Sequence, residues 1–142
     1  MKHLQTILFI FLFQMGAAAQ LVVKVIDGDT YKIMLGEQVQ HVRLQNVDAP
    51  ELKQFFGETS KNAVHSLIEG HAVAVQVTGI DLYGRLIASI KIEEMRLDSL
   101  LVARGLAWVY KNYCNEKILF SCEALARSEA VGLWKCKRNI PP

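Results

Sequence analysis

LVVKVIDGDTYKIMLGEQVQHVRLQNVDAPE, residues 21–51, decides how this chain is read. Short β-branched runs at Leu21–Ile26, Thr30–Leu35 and Val39–Leu44 read as three strands, since alternation and β-branching suit a pleated surface. Asp27-Gly28-Asp29 and Gly36-Glu37-Gln38 carry the turn residues between them. Acids stand where the strands end. Asp27 and Asp29 follow the first strand, and Asp48-Ala49-Pro50-Glu51 follows the third. Alone, D-G-D-T is an ordinary Asx turn, and Pro50 only fixes an extended or turn conformation around it.

Moving outward, His71–Val77, Leu86–Ile92 and Leu106–Tyr110 continue the strand pattern. Helices interrupt it at Glu58–Glu69, at a short segment capped by Asp98 and ended at Arg104 by Gly105, and at Lys117–Val131, closed by Gly132. Three strands, a helix, two strands and then helices is the order of a mainly β, α+β domain. The expected architecture is a five-stranded Greek-key barrel of the OB type with three helices. A doubly wound α/β fold is disfavoured, because strands and helices do not alternate one for one.

Composition bounds the rest. The chain has 142 residues, 51% apolar and 21% charged, which excludes a disordered chain or several large domains. Sixteen basic against fourteen acidic residues leave +2, too little for a partner bound through a generally basic surface. Met1–Ala19 holds Lys2, an apolar run from Ile7 to Phe13 and the small residues Gly16–Ala19, the pattern of a cleaved signal peptide. It is too polar and too short to span a membrane. The expected mature domain is 20–142, exported to the periplasm or the medium and holding no membrane span. Cys114, Cys122 and Cys136 suggest one disulfide and one spare thiol in an oxidising compartment, with Cys114–Cys122 and Cys122–Cys136 both open.

Strand geometry would bring the Asp29 and Asp48 carboxylates to one rim. Two such charges about 5 Å apart repel by roughly 3 kcal/mol at an effective dielectric of 20, so either a cation should sit between them or one should be protonated. With no Cys or His at ligand spacing nearby, a hard, oxygen-seeking ion such as calcium or magnesium fits best. Arg43 and Arg85 are either plain ion-pair partners or guanidinium forks for phosphate oxygens. Glu51 is then the acid left to activate water.

Taken together, V-I-D-G-D-T (Val25–Thr30), V-R-L-x-x-V-D-A-P-E (Val42–Glu51), D-L-Y-G-R (Asp81–Arg85), L-L-V-A-R-G-L-A (Leu100–Ala107) and G-L-W (Gly132–Trp134) resemble the staphylococcal-type, thermonuclease-like nucleases. The resemblance runs through nearly the whole of 20–142. It implies a barrel enzyme that hydrolyses DNA and RNA with calcium and leaves 3′-phosphorylated ends. Magnesium or another divalent cation is the alternative ion, a single-stranded substrate is expected, and the protein is expected to be a monomer. By motif, Asp29, Asp48 and the Ala49 carbonyl would hold the metal, and Arg43 and Arg85 would contact the scissile phosphate. Glu51 would be the general base, with Asp27 and Thr30 as outer supports. Tyr83, Tyr110 and Tyr113 would lie beside the nucleotide.

In two places the chain departs from that pattern. Ala49 stands where the type enzyme has Thr, and the segment from Leu52 to Gly70 is shorter, without room for the lysine-bearing loop. The competing reading is a non-catalytic nucleic-acid-binding module of the same fold. His41, His65 and His71 read as surface or packing residues, Trp108 and Trp134 as core, Phe55-Phe56 as a docking contact, and Lys135–Arg138 as a solvated tail.

Overall fold

The computed structural model describes residues 18–136 and Pro141. The signal peptide expected at 1–19 falls almost wholly outside the described residues, as do Lys137 and Arg138 of the tail. Among the described residues no helix is long and apolar enough to cross a membrane.

Strands β1 (Gln20–Val25), β2 (Thr30–Leu35) and β3 (Gln38–Leu44) form an antiparallel meander. Leu35 pairs with Gln38, so the hairpin turn holds only Gly36 and Glu37, and Gly36 supplies the positive φ of 63° that its first central position needs. Helix α1 (Gly57–Ile68) then carries the chain back across, and β5 (Ala72–Ile80) pairs with the other edge of β1. β6 (Leu86–Ile92) pairs with β5 and also, in parallel, with β3 through Val42↔Leu86, Arg43↔Ile87 and Leu44↔Ala88. That last pairing closes the order β3-β2-β1-β5-β6 into the expected five-stranded mixed barrel with three helices.

Val22, Val25, Ile33, Val42, Leu44, Ala88 and Ile90 belong to the core, which is capped by Val64 and Ile68 of α1 and by Leu97, Leu101 and Val102 of α2 (Leu97–Ala103). Each such side chain contributes about 1.5–3 kcal/mol on burial. Two short ladders complete the molecule. β7 (Met95–Arg96) extends β6, and β4 (Val47–Asp48) pairs with β8 (Trp108–Val109). The strand expected at Leu106–Tyr110 shrinks to those two residues because its partner offers only two.

Several local expectations need correction. Asp98 is not the N-cap of α2: Arg96 precedes the helix, and the Asp98 carboxylate is buried and bound by the Arg96 guanidinium. A carboxylate so deeply buried needs a cation more than a helix end needs a cap. Gly105 does end α2, in a left-handed conformation with Leu106 N donating to Leu101 O at 2.8 Å and Gly105 N donating to Val102 O at 3.0 Å. Helix α3, however, is Lys117–Ser128, and the left-handed residue that stops it is Ala130, with Val131 N donating to Ala126 O. Gly132 serves close approach instead. A Cβ there would lie 2.3 Å from Gly105 O, and one on Gly105 would lie 2.2 Å from Val131 O, so the ends of α2 and α3 meet backbone to backbone.

Phe55 and Phe56 part company: Phe56 packs on the core, whereas Phe55 is 59% exposed. Among the described residues no disulfide joins the cysteines, and all three thiols are free. Cys114 is enclosed in the core as a small apolar side chain, and Cys122 packs on that core from outside.

Candidate active site

The D-G-D-T turn is built from its own side chains. Asp27 Oδ1 accepts from the backbone N–H of Asp29 at 3.0 Å and of Thr30 at 2.8 Å, the Asx turn its sequence suggests. Tyr31, buried at the start of β2, donates its hydroxyl to Gly28 O at 2.8 Å. Gly28 is required by space, because a Cβ would fall 2.4 Å from Ser60 Oγ and 2.6 Å from Ala49 Cβ. The turn is thereby pressed onto both α1 and the D-A-P-E loop. Ser60 escapes a reading of motifs because nothing in its own neighbourhood of sequence marks it, and Tyr31, although next to the D-G-D-T motif, shows no chemical signature of its own. Only the tertiary packing marks them.

This turn holds Asp29 almost out of solvent, at 6% exposure. Its Oδ2 accepts from Ala49 N at 2.7 Å, and its Oδ1 accepts from the Thr30 hydroxyl at 3.1 Å. Arg43, opposite Thr30 in the β2–β3 register, sends one guanidinium nitrogen to both acids. Nη2 lies 2.7 Å from Asp48 Oδ1 and 3.6 Å from Asp29 Oδ2, so these oxygens can be no more than about 6 Å apart. Nη1 donates to Val47 O at 3.1 Å and Leu44 O at 3.3 Å. The cation that the paired carboxylates demand is, in this structure, Arg43.

One guanidinium does not compensate the site fully. Burial pushes the Asp29 carboxyl up to about 7, with repulsion from Asp27 and Asp48 adding to the rise and Arg43 opposing it. Asp48 is raised as well, chiefly by burial, with Arg43 again opposing and Glu51 adding repulsion. Such a site has room in its charge balance for another cation. Its donors are all hard oxygens, as calcium or magnesium prefers. Among the described residues no set of three or more His, Cys, Asp or Glu side chains forms a ready-made cage. Asp29 and Asp48 would therefore need backbone carbonyl or water oxygens to complete a shell.

The second arginine arrives from the β5–β6 turn. Asp81 accepts from Tyr83 N at 2.9 Å, Arg85 N at 3.0 Å and Arg85 Nε at 2.7 Å, which shapes the turn and aims the guanidinium. Arg85 Nη1 donates to Thr30 Oγ1 at 3.4 Å, and Thr30 in turn donates to Asp29. Tyr83 is 85% exposed, with the Arg85 guanidinium 5.6 Å from its ring centroid. Tyr110 bears the same relation to Arg43 at 5.5 Å and lies 4.8 Å from the Tyr113 ring. Asp48 and Tyr110 also line a cleft of about 270 Å³ with Trp108, Lys111 and Arg127.

Glu51 is exposed and makes no side-chain hydrogen bond or ion pair among the described residues. Its backbone is held tightly: Glu51 N donates to Gln54 Oε1, Gln54 N donates to Glu51 O, and a Cβ on Gly57 would fall 2.0 Å from Glu51 O. Ten of the eleven residues singled out in the sequence, Asp27, Asp29, Thr30, Arg43, Asp48, Ala49, Arg85, Tyr83, Tyr110 and Tyr113, are joined by direct contacts. Glu51 follows Asp48 by three residues but is not tied to the others by a side-chain bond.

A barrel with this rim is the form of a nucleic-acid-cleaving OB domain, and comparison with known proteins agrees. A family profile described as staphylococcal nuclease homologue matches residues 41–136, and the chain belongs to that family. It is 35% identical over 144 aligned positions to an uncharacterized endonuclease of Escherichia coli O157:H7, covering 99% of this chain and 94% of that protein. An uncharacterized endonuclease of Haemophilus influenzae is 34% identical over 122 positions, covering 85% of this chain and 68% of the relative. A micrococcal nuclease of Shigella flexneri is 29% identical over 124 positions, covering 80% and 71%.

Proposed function

We propose that this chain is a divalent-metal-dependent nuclease, using calcium, that hydrolyses phosphodiester bonds of single-stranded DNA and RNA and leaves 3′-phosphorylated ends. Membership of a nuclease family makes it a hydrolase of nucleic acids. The observation that carries the finer reading is the Arg43 guanidinium held between Asp29 and Asp48, with Arg85 tied to the same turn through Thr30.

Asp29, Asp48 and the Ala49 carbonyl are the residues that would hold the metal. When bound, it supplies a Lewis acid for a phosphoryl oxygen. Arg43 and Arg85 neutralise the charge that grows on the equatorial oxygens as phosphorus becomes pentacoordinate, and both are pre-aimed by carboxylates rather than free to wander. Glu51, exposed and three residues beyond Asp48, accepts the proton of the attacking water. The water oxygen bonds to phosphorus in line with the departing 5′ oxygen. The P–O5′ bond breaks, the phosphate stays on the 3′ side, and the departing 5′ oxygen takes up a proton from solvent to leave as the 5′-hydroxyl. Tyr83, Tyr110 and Tyr113 offer ring faces to the adjoining bases, which an unpaired strand can present. The protein works as a monomer, exported to the periplasm or medium after removal of residues 1–19.

Purified 20–142 should cleave labelled single-stranded DNA and RNA with calcium, less with magnesium and not with chelator, and end analysis should find 3′-phosphates. Tight binding without hydrolysis across pH and divalent ions would overturn the assignment in favour of a binding module.

A further inference from the structure

Between β3 and β4 the chain turns at Gln45 and Asn46, and Asn46 is left-handed at φ 68°. Few side chains tolerate that conformation, asparagine among them. Asn46 is also tied in three directions. Its carbonyl accepts from Tyr110 N at 2.8 Å, and its Nδ2 donates to Asp98 Oδ2 at 3.1 Å and to Glu116 Oε1 at 3.0 Å. Both carboxylates are bound by Arg96. One guanidinium thus faces two acids. A neutral carboxamide adds donors for both without adding charge, a service that neither aspartate nor glycine could perform.

The tie matters because of the strand that Asn46 leads into. Asp48 sits on the two-residue strand β4, whose ladder consists of Val47↔Val109 and Asp48↔Trp108. So short a ladder cannot hold its own register. Glu123, buried on α3, accepts from Val109 N at 3.0 Å and steadies the β8 side. Asn46 steadies the β4 side at the residue just before β4, and through Tyr110 it also joins the ring that lies against Arg43.

We propose that Asn46 is a positioning residue: its carboxamide, anchored to the Arg96–Asp98–Glu116 group, sets the placement of both Asp48 and Tyr110. The consequence for metal binding rests on the proposed role of Asp48 as a metal ligand, whereas the consequence for the ladder does not. Asn46→Gly separates the two duties of the residue, because glycine keeps the left-handed backbone and removes only the carboxamide.

The test measures amide hydrogen exchange of the metal-free protein, calcium affinity by calorimetry and steady-state kinetics on single-stranded DNA. In Asn46→Gly the Tyr110 amide should exchange about tenfold faster, reporting local opening of the β4–β8 ladder while the barrel amides keep their protection. Calcium Kd should rise and kcat fall, each about tenfold, with KM little changed, as expected for a group that orients a metal ligand. Asn46→Asp should be worse on every count, since it sets a third carboxylate against Asp98 and Glu116. Unaltered exchange at Tyr110 together with unaltered calcium affinity in Asn46→Gly would overturn the proposal. Wild-type protein that neither binds calcium nor cleaves would refute the metal role of Asp48, and the exchange result would still decide whether Asn46 positions the ladder.

Discussion

Chelated protein should lose stability as pH rises from about 5 to about 8.5, and one carboxyl should account for most of the loss. Burial in the D-G-D-T turn places Asp29 at about 7, against an ordinary value of 3.8 in the unfolded chain. Between these values the folded protein retains a proton that the unfolded chain has released. Stability from this group is therefore complete below about pH 4 and is lost as pH climbs to 7. Each pH unit of displacement is worth roughly 1.36 kcal/mol. Asp29 thus costs between about 1 and 2 kcal/mol at pH 5 and a little over about 4 kcal/mol by pH 8.5, where it is ionised in both states. The resulting loss is about 3 kcal/mol. Asp48, also raised by burial, acts in the same direction.

Asp29→Asn removes the titration while retaining an oxygen for Ala49 N, and the Thr30 hydroxyl can reverse its role to accept from the new amide. Urea unfolding in chelator, followed by the fluorescence of Trp108 and Trp134, measures the difference. Wild type should weaken relative to the variant by about 3 kcal/mol across the range, and the variant should be the more stable protein at alkaline pH. Calcium should restore wild type above pH 7 and leave the variant unaffected. Parallel stability curves for the two proteins would refute the reasoning, because they would mean that Asp29 is not an undercompensated charge.

Arg85→Ala should lower kcat by about 10²–10³ with the barrel intact by circular dichroism; a rate within threefold of wild type would remove Arg85 from the phosphate site. Glu51→Gln should slow single-turnover cleavage by about 10²–10⁴ and leave binding of single-stranded DNA in place, which quench-flow and fluorescence anisotropy can separate. Gly105→Ala forces a side chain into a left-handed position where its Cβ meets Val131 O. It should cost about 1–3 kcal/mol in urea unfolding by parting the ends of α2 and α3. DNA affinity should fall only gently with salt, since the +2 chain meets phosphate through a few placed arginines; a slope corresponding to many neutralised phosphates would contradict a local site.

The barrel's first three strands, α1 and the Gly105 stop were legible because each depends on neighbours within a few residues: alternation, turn residues and a left-handed glycine. The acids were legible at strand ends for the same reason. Where local signals competed with distant ones, the distant ones prevailed. Asp98 looked like a cap and is a buried partner of Arg96, Gly132 looked like a helix stop and is a point of backbone contact, and Phe55 and Phe56 look alike yet only Phe56 packs on the core. Asn46 carried no signal at all.

Sequence by itself therefore determined which residues could do chemistry and along which strands and turns they would be strung. Closure of the barrel decided that they meet. Residues 29, 43, 48, 49, 85 and 110 come from several separate turns and strands, and they touch only because β3 pairs with both β2 and β6 and β4 pairs with β8. Closure also placed a guanidinium between the two carboxylates. A carboxylate's ionisation depends on everything within several ångströms of it, and that surrounding is a property of the folded barrel rather than of any stretch of chain.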